Sequence, residues 1–486
     1  MTNRIPFPVN RLFLKPVDSG LLTIPDANVR LITALLRLPH MGIEGVLLIF
    51  RWQTSTDPRP NKALRPKLYR QHLSDYPDLQ LLCNIAEHGV VSHWCSTSER
   101  AGVRPVPQNY PSAEKGATVV THRLVTEYYR GRCILASSSA LSEEPAFHSS
   151  AFALVPKKDI PLDQDGRIIH DLSAPPGDSI NEATNTDWTP DARWDPYSSL
   201  ADRVLELRRQ YPDATIYALG ADIAEAFLHV PVHSNHASAF GGTVPRSQTG
   251  IVSGTAVFGW TASPGYFAVF GKAARHYHRA GSSYVLGLPK PFWIFQWVDD
   301  IVCIEVDIGD RLLRAEQRLR DAIKLVFGSD GWHEGKFTTW SRQIHAVGID
   351  WNLTDLTVSI PQRKIAKTKK IVAETLDLAF VAKKTMNKLV GVLRHVVTFI
   401  PIAKPFMQRL ISVQQRIERA GSSGIPMNDT LRKDLVWWKH LVFENEFAGI
   451  PMTMFDQYPP ESDSEHSELQ KLNLSTERRW HTLYLM

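Results

Sequence analysis

The spacing of apolar and polar residues changes several times along the chain, and each change marks a different kind of element. In residues 1–110, short helical patterns alternate with polar breaks such as TSTDPRPNK at 54–62. From about 111 to 146 a helix-like run, AEKGATVVTHRLVTEYYRGR, leads into a loop rich in Ser and Glu. Residues 151–186 alternate strand-like runs with turn signals: FALVPKK, a PLDQDG turn, RIIHDLS and the Pro-Pro-Gly break at 175–177. Between 215 and 350 the pattern predicts strand, helix, strands, helix, a strand hairpin, helix and strand. Beyond Pro361 helical spacing continues to about Phe443, and from Tyr458 onward the chain is polar.

The sharpest element predictions lie in the middle. TIYALGADIA is a short apolar run of strand character that ends on Asp222. WIFQWVDDIVCIEV consists of two bulky apolar runs meeting at Asp299-Asp300, as in a tight hairpin with an acidic pair at its junction. From Asp310 to Phe327, Leu312, Ala315, Leu319, Ala322, Ile323 and Val326 recur at helical spacing, and Gly328 supplies a stop.

A length of 486 residues exceeds one usual domain and predicts two to four structural units. With 43% hydrophobic and 22% charged residues the chain can bury a sizeable core. The net charge is only +5, but residues 361–410 hold eleven Lys or Arg against Glu374 and Asp377. Such a block is either a solvated helical face or a surface for a polyanion, whose neutralised phosphates release counterions. The four cysteines lack CxxC spacing, which argues against a zinc finger and fits free thiols in a reducing compartment. No stretch reads as a signal peptide or a membrane span, so an intracellular chain, cytoplasmic or nuclear, is expected.

Two adjacent carboxylates between apolar strands are costly unless a cation answers them. Mg²⁺ or Mn²⁺ suits carboxylate and phosphate oxygens, and Asp222 completes a site for two ions if its strand lies beside the hairpin. An isolated Asp-Asp pair is more often an ordinary acidic turn. Here the neighbours change that reading. The series Asp222-Ile-Ala-Glu-Ala-Phe227, Phe258-Gly-Trp-Thr-Ala-Ser-Pro264 and Trp297-Val-Asp-Asp300 resembles the successive palm motifs of reverse transcriptases. Upstream, Val155-Pro-Lys-Lys158, Arg167-Ile-Ile-His-Asp171 and Ser179-Ile-Asn181 are similar to that family's fingers. Downstream, Glu334-Gly-Lys336 and Ala346-Val-Gly-Ile-Asp350 resemble the motifs that follow the catalytic hairpin. The resemblance spans roughly 150–445 in the family's order, and its wording is closest to retrotransposon polymerases.

The resemblance implies an α+β right-hand fold: fingers at 111–214, a palm with a ferredoxin-like antiparallel sheet at 215–360, and a helical thumb at 361–446. Residues 1–110 are left without a role, and 447–486 are expected to be a polar tail. It further implies template-directed DNA synthesis on an RNA or DNA primer-template from deoxynucleoside triphosphates. Asp222, Asp299 and Asp300 would be catalytic, with Asp222, Asp299 and the Ile223 carbonyl holding the metal ions. Lys157, Arg167, Lys336 and the backbone of Glu225 and Ala226 would meet the triphosphate. Phe227 would be the bulky gate that excludes a 2′-hydroxyl, with Phe258 and Gly259 also lining the nucleotide site. Lys364, Lys367, Lys369 and Lys370 would track the duplex backbone.

Two positions depart from the family pattern. Trp297 stands where Tyr is usual before Val-Asp-Asp, and Phe258 replaces a Gln that many members carry before Gly-Trp. Neither is a metal ligand. The stretch after Phe447 is too short for a ribonuclease H fold, and neither an integrase zinc motif nor a protease Asp-Thr/Ser-Gly occurs. An RNA-dependent RNA polymerase would favour Gly-Asp-Asp over the Val-Asp-Asp seen here. A decayed fragment that binds nucleic acid without turnover is the competing reading from outside the enzymes.

Overall fold

The computed structural model describes residues 20–95, 106–157, 160–399, 403–443 and 449–455. Lys158 and the acidic ESDSEHSE stretch therefore lie outside the described residues. The fold mixes helices with small antiparallel sheets.

At the centre is a three-stranded sheet in which Asp300–Val306 lies between Ile216–Asp222 and Ile294–Trp297, antiparallel to both. Strand side chains alternate between faces, so each strand divides its apolar residues between two cores. Leu219, Ala221, Ile301 and Cys303 join one core with the Ser263–Arg279 and Arg311–Phe327 helices. Ile216, Ala218, Val302, Ile304 and Val306 join another, with the Ser198–Gln210 helix and the C-terminal helices. Burial on both faces explains why these strands read as continuous apolar runs instead of alternating ones. The helix expected at 310–327 runs Arg311–Phe327 and stops at Gly328, whose φ of 72° suits glycine.

The FALVPKK and RIIHDLS runs form the antiparallel pair Ala151–Pro156 and Gly166–Asp171. The helix-like run after 111 is two helices, Pro111–Lys115 and Ala117–Tyr129. The expected Ser- and Glu-rich loop instead begins with a buried strand, Cys133–Ser137, paired to Thr249–Ser253. Its five residues are too few to show a period, and a distant partner decides their state. Residues 346–349 close a hairpin on Val347 and Gly348, both at positive φ, as a tight two-residue turn requires.

The N-terminal residues are built into two cores. The Asp26–Leu36 and Gly42–Phe50 helices pack with the 113–154 and 237–252 elements. Leu64, Tyr69, Leu73 and Leu82 instead join the core under the central sheet, where the Tyr69 hydroxyl donates to the Val326 carbonyl. Beyond Pro361 come helices Gln362–Leu376, Lys383–Phe399, Lys404–Arg419 and Asp429–Phe443, interrupted by a short strand pair. Trp438 is fully buried in their core, and Trp437 stacks on Phe406 at 3.6 Å between ring centroids. No described helix is long and apolar enough to cross a membrane.

One charged residue inside the sheet explains how an outer hairpin is held. Glu305 is fully buried on the central strand, 2.7 Å from Arg311 Nε and 3.2 Å from Arg203 Nη2. Arg311 also donates to Ser283 Oγ and to the Lys290 and Pro291 carbonyls, so it ties the 282–291 hairpin to the sheet. Removing one partner of a buried pair leaves an uncompensated charge. Arg311→Met is therefore expected to destabilise the protein by about 3–5 kcal/mol in urea unfolding. A loss below about 1 kcal/mol would deny the pair its structural role.

Candidate active site

The antiparallel register places Asp222 directly opposite Asp300. Asp299 lies in the turn that joins Trp297 to Asp300, and the Ile223 amide donates to the Asp299 carbonyl at 3.1 Å. The turn begins on Val298 at φ 55°, an uncommon conformation for a β-branched residue. Gln296 steadies it, donating through Nε2 to the Val298 carbonyl at 3.0 Å. Three carboxylates thus meet at one end of the sheet.

Their electrostatics follow from that crowding. Burial, reinforced by the Asp222 and Asp300 charges, pushes Asp299 up to about 6. Asp300 is raised too, by partial desolvation of its carboxyl and by Asp222, although the residue itself reaches solvent. One cation answers them directly: Lys336 Nζ lies 2.8 Å from Asp222 Oδ2. Lys336 comes from a short turn at 334–336, and the next segment pairs with the Asp222 strand. The Thr338 amide donates to the Gly220 carbonyl, and the Gly220 amide donates to Thr338 Oγ1.

Among the described residues, no group of three or more His, Cys, Asp or Glu side chains is gathered closely enough to hold a metal by itself. The donor chemistry nevertheless fits a hard divalent ion. Mg²⁺ commonly takes one or two carboxylates, keeps several waters and completes its shell from a substrate phosphate. Asp222, Asp299 and the Ile223 carbonyl offer oxygen donors only. Asp299 stays raised, by burial first and by Asp222 and Asp300 second, although Lys336 pulls it the other way.

The chain after Asp222 turns sharply. Glu225 and Ala226 have φ of 61° and 21°, two successive non-glycine residues at positive φ. Such conformations each cost of order 1–3 kcal/mol and persist where surroundings impose them. The Glu225 carboxylate is paired with Arg130 and Arg132, and these cations hold it below its usual range despite burial. The Ala226 amide points back to the Ile223 carbonyl at 3.4 Å, whereas the Glu225 amide has no acceptor among the described residues. Sequence reasoning missed Arg130 and Arg132, and no local signal marks them.

Phe227 is 7% exposed and packs against Phe258 and Phe267, with centroids at 4.7 and 5.5 Å. Phe258 is 45% exposed, so it is the ring of that stack open to solvent. Gly259 follows at φ 114°, and a Cβ there would stand 2.1 Å from the His170 carbonyl oxygen. Asn181 fixes this loop, donating to the Gly259 carbonyl and accepting from the Thr261 amide, both at 2.8 Å. The Ser-Ile-Asn motif is thereby joined to the Phe-Gly-Trp motif.

The remaining expected site residues are less gathered. Lys157 lies 2.5 Å from Asp165 within the 151–171 hairpin, and Arg167 is exposed without an ion pair among the described residues. Lys364 donates to the Gly348 carbonyl and contacts His395 Nε2, each at 2.9 Å, so its ammonium anchors the helix instead of facing outward. Lys367 and Lys370 are exposed, with Lys370 3.7 Å from Glu374. Lys369 lies over the Phe443 ring at 5.1 Å.

No protein-family model and no curated protein matches the chain. Among solved structures it is similar to the foamy viral protease–reverse transcriptase in complex with double-stranded DNA. The identity is 13%, the TM-score 0.47, and the match covers 90% of this chain and 63% of that one. A second structure, with an RNA/DNA hybrid, gives 14% identity and a TM-score of 0.47, covering 91% and 49% of the two chains. A third, with double-stranded DNA, gives 13% and 0.44, covering 82% and 73%. The chain spans less than two thirds of the length of the first two.

The raised Asp299 has a consequence for stability. An unfolded aspartate titrates near 3.8 and folded Asp299 near 6, so the folded state binds more protons between those values. Stability without divalent ions must then fall as pH rises from about 4 to about 6. Asp299→Asn is expected to remove that fall and to stabilise the metal-free protein at pH 7 by up to about 3 kcal/mol. Melting curves in chelator across pH 4–8 measure this, and parallel curves for the two proteins would contradict it.

Proposed function

We propose that the chain is a template-directed DNA polymerase of the reverse-transcriptase kind, working in a retrotransposon-like element. The observation that carries this reading is the register that sets Asp222 opposite Asp300, with a raised Asp299 in the adjoining turn. Its second support is independent in sequence. Motifs written far apart, Asn181, Phe258-Gly259 and Lys336, are brought by contact onto the same strand ends and loops.

In this reading Asp222, Asp299 and the Ile223 carbonyl hold two divalent ions, which supply activation of a primer 3′-hydroxyl and charge neutralisation at the triphosphate. Lys336, at hydrogen-bond distance from Asp222, is placed to transfer its contact to a phosphate and to donate a proton there. The unengaged Glu225 amide offers a neutral donor to the same group, and Arg167 an exposed guanidinium fork. Phe227 and Phe258 together close the sugar side of the site: the outer ring excludes a 2′-hydroxyl and the inner ring keeps it in place. Exposed lysines of the 362–376 helix contact the duplex backbone, which positions without reading sequence.

Primer extension on poly(rA)/oligo(dT) with Mg²⁺ or Mn²⁺ tests the reading. Asp299→Asn is expected to lose at least a thousandfold in extension, a loss of the size expected when transition-state charge stabilisation is removed, while duplex binding is retained. The same substitution is expected to stabilise the metal-free fold, and a melting curve taken under assay conditions separates lost chemistry from unfolding. Wild-type protein that binds duplex but never extends it would assign the chain to nucleic-acid binding alone.

The ring pair gives a second, separable outcome. Phe258→Ala is expected to raise the kcat/KM for UTP relative to dTTP with little change in melting. Phe227→Ala should raise the same ratio and also cost about 3–5 kcal/mol, because that ring is core. If neither variant changes the ratio, both rings are packing only.

A further inference from the structure

The turn after Asp222 is bent through two non-glycine residues at positive φ, yet its own hydrogen bonds are few. The Ala226 amide reaches Ile223 only at 3.4 Å, and further ties run from Leu228 N to the Glu225 carbonyl, from Val230 N to the Phe227 carbonyl and between His229 Nε2 and the Ala224 carbonyl. What grips the turn comes from elsewhere in the chain. Glu225 Oε2 lies 2.5 Å from Arg132 Nη1, and Glu225 Oε1 is paired with Arg130. Glu127 braces both arginines from behind, at 3.1 Å from Arg130 and 2.9 Å from Arg132.

This brace is itself fixed. The Ala117–Tyr129 helix ends beside it, and Gly131 at φ 75° turns the chain into the Cys133–Ser137 strand. The Arg132 amide donates to the Glu127 carbonyl, and the Arg132 carbonyl accepts from Gly254 at 2.7 Å. The Arg132 side chain is 9% exposed, so its charge is buried between two carboxylates. A buried cation so held has little freedom, and neither has the carboxylate it grips.

We propose that Arg132, seconded by Arg130, is a positioning residue: by gripping Glu225 it holds the Asp222–Phe227 turn in its strained form. Through that turn it sets where the Glu225 amide meets an incoming nucleotide and where the Phe227 ring supports Phe258 against the sugar. The Arg132 guanidinium is engaged by the Glu127 and Glu225 carboxylates, so it acts through the turn. The role rests on the polymerase reading for its consequence, but the grip on the turn stands without it. It predicts an effect on nucleotide binding and sugar choice, with the chemical step largely spared.

Three variants test this: Arg132→Gln, Arg132→Lys and Glu225→Gln. With Arg132→Gln the KM for dTTP is expected to rise at least tenfold while kcat changes less than threefold. The dTTP-over-UTP preference should fall several-fold, and Arg132→Lys should recover part of it. Glu225→Gln leaves Arg132 paired with Glu127, so it keeps the buried charge answered and should reproduce the same split if Arg132→Gln does not fold. Amide hydrogen exchange supplies the readout without activity: the 222–228 amides should exchange faster in the variants, while the 294–306 hairpin is unchanged. Folded variants with wild-type KM, sugar preference and exchange at 222–228 would overturn the proposal. If the wild-type protein extends no primer, the polymerase reading fails, and the exchange result alone decides the grip.

Discussion

The antiparallel register between 216–222 and 300–306 is the constraint from which the site descends, because a one-residue slip would turn Asp222 to the opposite face. That register is strongly specified, since both faces of the sheet are packed: Leu219 and Ala221 into one core, Ile216 and Ala218 into another. A slip would exchange the two sets and mismatch both cores at once. The apolar interior thereby pays for the convergence of three carboxylates that repel one another. Burial first, and the Asp222 and Asp300 charges second, lift the Asp299 carboxyl to about 6.

Around that rigid strand pair the rim of the site is assembled from distant pieces, each by a different physical device. Lys336 arrives by strand-like pairing of Thr338 with Gly220, a glycine that lets the Thr338 and Ile344 side chains come close. The Phe258 loop is brought in by Asn181 and by the contact of Gly259 with the His170 carbonyl, which no side chain would permit. The turn beyond Asp222 is held by paired arginines. A stiff core and an externally braced, strained rim suit a site that must place a substrate within fractions of an ångström.

The basic block at 361–410 shows how a charge count divides once a helix forms. On the 362–376 helix Lys364 turns inward to Gly348 and His395, where burial lowers its pKa, while Lys367 and Lys370 remain outside. Each residue turns the helix further round its axis, so Lys364 can face the Gly348 carbonyl while Lys367 and Lys370 point progressively away from it. The count of positive charges suits a polyanion, but only part of it faces outward.

By itself the sequence determined the elements whose signal is local. The two apolar runs around Asp299-Asp300, the strand ending on Asp222 and the helix stopping at Gly328 are all legible from spacing and a terminal glycine. It also contained the ordered motifs that name the candidate residues. It held no trace of the Glu225 brace, whose partners lie some ninety residues upstream, nor of the exposure of Phe258 over a buried Phe227. Nor did it show that the Cys133–Ser137 run is a strand or that residues before 110 complete two cores. Those features are pairings between segments far apart in the chain, and their free energy depends on which surfaces meet. Local spacing reports how a segment can bury itself; only the folded chain decides against what.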